Sequence, residues 1–217
     1  MSNKKILVTR PKAQGLDFAR QTCLDMGAFL FEPLIEIKYL DITLPDLNIY
    51  DGVITTSIHA KASLPDNYPC YDIGDYAPTA KELADRVIRD NRDKNLRLLY
   101  IRGADISFDM KEALSQYHVD ELISYEAVAI DCFSNELVES FKNNGISTVT
   151  FFSKRTAEIF VRLAIKHDVM DYLGDIKALC ISDSMVECLY PIFGNNIEVS
   201  NSPDAQAMAR MMNSKGN

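Results

Sequence analysis

The 217-residue sequence has no Cys-X-X-Cys pair, only three histidines and no dense run of Lys and Arg, and each scarcity removes a class of function. Cys23, Cys70, Cys132, Cys180 and Cys188 are odd in number and irregularly spaced, so reduced thiols are expected rather than a disulfide framework. His59, His118 and His167 lie far apart without Cys or Asp partners at metal-ligand spacing, so no metal site is expected. Basic residues number 23 against 31 acidic ones, a net charge of -8, with no basic cluster to mark a nucleic-acid footprint. That field opposes a polyanion, so an anionic ligand must be held by local donors. No stretch reaches the length of a membrane-spanning helix, and Ile6-Leu7-Val8 is too short for a signal-peptide core. A soluble cytoplasmic protein with no membrane or nucleic-acid partner is therefore expected. The sequence also lacks GxGxxG, a P-loop lysine motif and GxSxG, which removes the usual signatures of dinucleotides, nucleoside triphosphates and acyl-transfer triads.

What is present is an ordinary globular balance, 47% apolar and 25% charged, in a chain long enough for one large domain or two small ones. Short apolar strands alternate with amphipathic stretches, the pattern of an α/β protein with parallel sheets. Ile6-Leu7-Val8 reads as a buried strand, and Gly15 to Met26 as a helix with apolar spacing at Leu16, Ala19, Cys23 and Met26, ended by Gly27. Phe29 to Ile37 is an extended segment interrupted by Pro33. Further strands are expected at Gly52–Ser57, Cys70–Gly74, Leu96–Gly103, Glu121–Val128, Thr148–Ser153, Lys177–Ser182 and Asn196–Val199. Helices are expected near Pro78–Arg92, Phe108–Tyr117 and Pro203–Met212.

The two halves repeat. Ile6 to Arg10 corresponds to Leu98 to Arg102, Val53 to Ala60 to Val149 to Ala157, and Pro78 to Ala84 to Pro203 to Ala209. Repeated βα units imply two similar lobes, although one continuous sheet is also compatible with the pattern.

One punctuation recurs at strand ends, an apolar strand followed by hydroxyl residues and then a helix: Thr56-Ser57, Ser153 and Ser182-Asp183-Ser184. Each serine alone is explained by capping of helix amides. Three at the same end of parallel strands point equally to an anion site, because helix-start N–H groups hold carboxylates and ligands bind at that end. Arg10 and Arg102 follow equivalent strands, placed either to salt-bridge within a lobe or to fork onto a carboxylate. Tyr125 ends a candidate crossover strand, where tyrosines most often pack.

Ile6-Leu7-Val8-Thr9-Arg10-Pro11, Pro33-Leu34-Ile35-Glu36-Ile37, Thr55-Thr56-Ser57-Ile58-His59-Ala60, Leu99-Tyr100-Ile101-Arg102-Gly103, Tyr125-Glu126, Thr150-Phe151-Phe152-Ser153 and Ser202-Pro203-Asp204-Ala205 occur in this order. In that order the chain resembles the uroporphyrinogen-III synthases over nearly its whole length. The resemblance implies two similar α/β lobes, with parallel sheets flanked by helices, joined by a two-stranded β ladder of Pro33–Leu40 and Ser124–Asp131. One lobe is then discontinuous, residues 1–36 plus 129–217, and residues 37–128 form an inserted, shortened lobe. It implies a cofactor-free monomer that closes hydroxymethylbilane into a ring, expelling the terminal hydroxyl as water and inverting the last pyrrole through a spiro-pyrrolenine. Tyr125 matches the hinge-side tyrosine and becomes the candidate acid for the leaving hydroxyl, the alternative being that it only orients the substrate. Arg10, Thr56, Ser57, Gly74, Arg102, Gly103, Ser153, Ser182 and Ser184 become the candidate substrate-binding residues. The chain departs from the family at Ser182-Asp183-Ser184-Met185-Val186, at Tyr76-Ala77-Pro78, by a stretch between Ser57 and Gly74 that leaves little room for the usual helix, and by a missing βα unit before Pro78. The competing readings are a non-catalytic two-lobe clamp for a small anion and a signalling receiver domain. The receiver lacks an acidic pair after the first strand.

Overall fold

The computed structural model describes residues 4–74, 76–91 and 93–213. The chain divides into two compact units, Met1–Glu36 with Ala129–Asn217, and Ile37–Val128.

The first unit carries a five-stranded sheet in the order β10-β9-β8-β1-β2. Its strands are β1 (Lys5–Val8), β2 (Phe29–Phe31), β8 (Ile146–Phe151), β9 (Lys177–Cys180) and β10 (Ile197–Val199), and every pair is parallel. Side chains alternate across β1 as a pleated strand requires. Leu7 packs with α5 (Asn135–Lys142), α6 (Lys154–Lys166) and α7 (Val186–Phe193). Ile6 and Val8 pack on the opposite face with α1 (Lys12–Gln21) and α8 (Ala205–Asn213).

The helix α6 shows why these segments are helical. Ser153 accepts the Thr156 N–H at 3.2 Å, and Ala157, Phe160, Leu163 and Ala164 recur on one buried stripe. Phe160 meets Phe151, Phe133 and Phe193 at centroid separations of 5.2, 5.4 and 6.0 Å. Truncating such a fully buried ring costs roughly 3–5 kcal/mol.

The second unit has the order β3-β7-β6-β4-β5, with β3 (Ile35–Tyr39), β4 (Gly52–Thr55), β5 (Tyr71–Asp72), β6 (Arg97–Gly103) and β7 (His118–Ala129). The pairs among β5, β4, β6 and β7 are parallel. Ile54, Leu98 and Tyr100 pack on α3 (Ala80–Asp90) and α4 (Met110–Ala113), while Val53, Leu99 and Ile101 pack on the side of α2 (Ile58–Lys61). Ile130 N–H donates to Leu34 O at 3.1 Å and Leu40 N–H to Ser124 O at 2.9 Å, so the partners of β3 and β7 run in opposite directions.

The internal repeat is visible as topology. The run β5-β4-β6-β7 matches β9-β8-β1-β2, and α3 matches α8: both begin two residues after a proline, on a cap. Thr79 accepts the Glu82 N–H at 3.2 Å, and Asp204 accepts the Ala207 N–H at 2.7 Å. Between β9 and α8 the first unit inserts α7 and β10; between β5 and α3 the second has only residues 73–79. Among the described residues no counterpart of α7–β10 stands there, and β5 is at the sheet edge.

Two helices differ from their sequence expectation. The first ends at Gln21, not Met26, because the Thr22 hydroxyl donates to Ala19 O at 2.7 Å and the Cys23 N–H to Asn213 Oδ1 at 2.8 Å. Its buried face is Gly15, Phe18 and Ala19, and Gly27 sits in a separate 3-10 turn capped by Asp25. The helix expected near Phe108–Tyr117 is the single turn Met110–Ala113, continued by isolated turns. The helix Asn135–Lys142, unforeseen from the sequence, is capped by Ser134 and buries Leu137 and Phe141.

Candidate active site

In each unit the parallel strands end in short polar loops at their carboxyl termini, the end at which open α/β sheets bind ligands. In the unit 37–128 these loops enclose a cavity of about 140 Å³ lined by Thr56, Tyr100, Arg102, Gly103, Phe108 and Tyr125, among others. Four sequence candidates, Thr56, Arg102, Gly103 and Tyr125, thus share one wall. Sites for whole drug-sized ligands are roughly 300–1,000 Å³, so this cavity is smaller than a whole ligand of that size.

Tyr125 reaches the cavity through a break in strand alternation. Arg102 pairs with Ile123 but Gly103 pairs with Tyr125, which makes Ser124 an extra residue on β7, a β-bulge. Strict alternation would send Leu122 and Tyr125 to opposite faces; both instead pack beside Val53, Leu99 and Ile101. The Ser124 hydroxyl is buried without a partner, a cost of roughly 1–3 kcal/mol attached to this re-aiming. Gly103 is required by close approach. A Cβ there would stand 2.7 Å from the Tyr125 Cζ and 2.9 Å from its hydroxyl oxygen.

Thr56 and Tyr100 share a hydrogen bond of 3.0 Å between their hydroxyls. Burial pushes the Tyr100 phenol above its ordinary value, and the bond to Thr56 opposes this. Arg102 takes the salt-bridged alternative in large part: Nε donates to Glu121 at 2.8 Å, and one terminal nitrogen donates to the carbonyls of Gly103 and Ala104 at 2.9 and 3.2 Å. Arg102 also lines the cavity, so its guanidinium stands at the wall while bonded within its own unit.

Two candidates of this unit lie off the wall. Ser57 caps α2, accepting the His59 N–H at 3.1 Å. Gly74 has φ +109 and closes a turn by donating to Ala77 O at 2.8 Å, a backbone reason for glycine. The loop departing from the family, Tyr76-Ala77-Pro78, is pinned to α3. Tyr76 bonds Asp90, and the Arg86 guanidinium carbon lies 4.2 Å over the Tyr76 ring. Burial, with Asp90 second, pushes the Tyr76 phenol up to about 12.

In the other unit Arg10, Ser153, Ser182 and Ser184 follow β1, β8 and β9, which are neighbours in the sheet. The Arg10 guanidinium carbon stacks 4.3 Å over Phe152, and one terminal nitrogen donates to Gln14 at 3.0 Å. Its Nε–H is buried with no acceptor, and burial lowers its pKa, with Asp17 acting in the opposite direction. Ser153 is committed to capping α6 and to a 2.7 Å bond with the Thr156 hydroxyl. The Ser182 and Ser184 hydroxyls bond each other at 2.9 Å, and Ser182 makes no side-chain cap bond. Met185 is fully buried in the core under α6 and α7, while Asp183 is exposed.

The sequence candidates omitted three residues that the structure brings to this region. Tyr100 lines the cavity. The His59 ring centre lies 5.4 Å from that of Tyr125, and the Tyr39 hydroxyl lies 3.0 Å from His59 Nδ1. A hydroxyl inside the apolar strand Leu99-Tyr100-Ile101 was the available signal for Tyr100, and His59 sat within a motif already singled out. Nothing in the local sequence marks Tyr39, whose role depends on strand pairing.

A family model described as uroporphyrinogen-III synthase HemD matches residues 67–209. The fold is similar to the crystal structure of uroporphyrinogen-III synthetase from Helicobacter pylori 26695, at 17% identity and a TM-score of 0.62, covering 97% of this chain and 99% of that one. A mutant uroporphyrinogen III synthase from the extremely thermophilic bacterium Thermus thermophilus matches at 13% identity and a TM-score of 0.47, covering 97% and 98% of the respective chains. No curated protein sequence matches the chain.

Proposed function

The chain belongs to the uroporphyrinogen-III synthase family, and from that membership we propose how its own residues act on hydroxymethylbilane. It is an enzyme of tetrapyrrole biosynthesis, and the matches do not favour the reading as a non-catalytic clamp. One observation carries the residue-level proposal. Arg102, Gly103 and Tyr125, all within the stretch the family model matches, line one cavity with Thr56.

The Tyr125 phenol donates its proton to the terminal hydroxyl of the substrate. The C–O bond breaks, water departs, and the electron-rich pyrroles carry the resulting positive charge. The substituted carbon of the last pyrrole closes on the freed carbon to form the spiro-pyrrolenine. The bond from that pyrrole to the adjoining bridge then breaks and re-forms at the free ring carbon. That carbon loses a proton, which restores the phenol. Most of the acceleration comes from holding a flexible chain in the closing geometry.

The acetate and propionate arms are met by Arg10 and Arg102, by the hydroxyls of Thr56, Ser57, Ser153, Ser182 and Ser184, by helix-start N–H groups, and along the Gly103 backbone, while Gly74 shapes its loop. These local donors supply attraction that the net charge of -8 does not. The finer reading is a cytoplasmic monomer without nucleic-acid or membrane partners, each compact unit acting as a lobe. Cys23, Cys132, Cys180 and Cys188 are free thiols in keeping with a reducing compartment, and among the described residues no helix is long and apolar enough to cross a membrane.

The test is to supply enzymatically generated hydroxymethylbilane and separate the type I and type III isomers after oxidation. Type III product that scales with enzyme supports the function. Type I alone, with folded protein in excess, refutes it.

A further inference from the structure

Three rings from three elements stand in series: Tyr39 at the end of β3 against His59 in α2, and His59 against Tyr125 in β7. The bond from Leu40 N–H to Ser124 O, 2.9 Å long, sets the antiparallel register so that Tyr39 stands across from Tyr125. His59 is the second residue of α2, whose start is fixed by the Ser57 cap. The ring planes of His59 and Tyr125 are inclined at 57°, with centroids 5.4 Å apart, while His59 and Tyr39 stand at 63° and 6.1 Å. The Tyr39 hydroxyl reaches His59 Nδ1 at 3.0 Å. The Tyr125 ring is therefore bounded by the Gly103 backbone and by an imidazole whose own orientation is tied to a third residue.

We infer that His59 is a positioning residue for Tyr125, and that the Tyr39 hydroxyl fixes His59 in turn, so that the aim of the phenol depends on a group outside the cavity. The inference rests on the reading of Tyr125 as proton donor. An imidazole at this partly exposed position has several staggered rotamers available, and one hydrogen bond to Nδ1 selects among them. With the Tyr39 O–H as donor, Nδ1 accepts and the proton of a neutral imidazole resides on Nε2. The phenol is held by ring packing, so a rotated imidazole releases it, and misplacement of a reacting group lowers turnover without altering the groups that bind the substrate arms. Tyr39 is 57% exposed and lines no part of the cavity, so replacing it by Phe removes one oxygen and leaves the packing in place.

The test measures kcat and KM for type III formation by Tyr39→Phe, His59→Phe, Tyr125→Phe and the Tyr39→Phe/Tyr125→Phe double variant. Loss of one hydrogen bond predicts that Tyr39→Phe lowers kcat roughly 3–10-fold with KM and thermal stability unchanged. His59→Phe, which keeps a ring but no acceptor, shows at least the same loss. The double variant is no slower than Tyr125→Phe alone, because positioning has no effect once the hydroxyl is gone. Multiplied losses in the double variant, a loss confined to KM, or wild-type kcat in Tyr39→Phe overturns the inference while leaving the proton-donor reading standing. Wild-type turnover by Tyr125→Phe overturns that reading and the inference with it.

Discussion

Replacing Gly103 by alanine separates the placement of Tyr125 from the stability of the fold. Gly103 has no left-handed backbone requirement, so the whole effect of a methyl group is steric. The new Cβ would lie 2.7 Å from Cζ, 2.9 Å from Cε2 and 2.9 Å from the hydroxyl oxygen of Tyr125. Carbon atoms rest at about 3.5–4.0 Å, so the phenol must retreat by roughly 1 Å. The obstructing atoms are the far end of a side chain, and retreat is cheaper than moving a strand. Overpacking costs of roughly 1–3 kcal/mol apply, and at about 2–4 °C per kcal/mol for a chain of this size Tm falls by no more than about 12 °C. Turnover is far more sensitive, since a misplacement of about 1 Å costs on the order of 10²-fold. Steady-state kinetics with hydroxymethylbilane, beside a thermal melt, check both numbers. A Gly103→Ala enzyme with wild-type kcat would refute the claim that the phenol must sit where Gly103 lets it sit.

Tyr125→Phe is expected to lower kcat by roughly 10²–10⁴-fold with an unchanged melt, as for other positioned acids, and an unchanged rate removes it from the chemistry. Ser57→Ala and Ser153→Ala each remove a helix cap, costing about 1 kcal/mol of stability in urea unfolding. They also weaken product binding roughly additively, and loss of all binding on removing Arg10 or Arg102 alone, with the double serine variant unaffected, contradicts dispersed binding. Burial, with Cys188 second, pushes the Cys180 thiol from 9.0 up to about 12. A folded pKa above the unfolded one gives stability that is complete below pH 9 and is lost as pH rises towards 12. Alkylation of native protein at pH 8 should therefore label exposed Cys23 and Cys132 and spare Cys180, and equal labelling of Cys180 refutes this burial.

What the sequence disclosed, and what it concealed, follows from the range of the interactions involved. The alternation of Ile6, Leu7 and Val8, and the Pro-cap-Ala starts of α3 and α8, are local signals with a fixed period, and they survive folding intact. The helix α1 was misplaced because Leu16, Cys23 and Met26 fit a helical period, while Phe18 and Gly15 form the buried face. Gly15 there accommodates Phe31 and Val8, a contact made between elements. At the site, Arg102, Gly103 and Tyr125 were legible as strand-end residues. The Ser124 bulge that turns Tyr125 onto Gly103 is a property of register between β6 and β7, and Tyr39 enters through pairing of β3 with β7. Neither register is encoded in a local run of residues.

Inversion of the last pyrrole requires the bond between that ring and its adjoining bridge carbon to break. Hydroxymethylbilane carrying 13C at both atoms of that bond shows a one-bond carbon–carbon splitting before the reaction. With this enzyme, NMR of the product is predicted to show that splitting lost from the labelled pair as water is released. Ring closure with the splitting retained, at enzyme concentrations that exceed the substrate, would contradict the account.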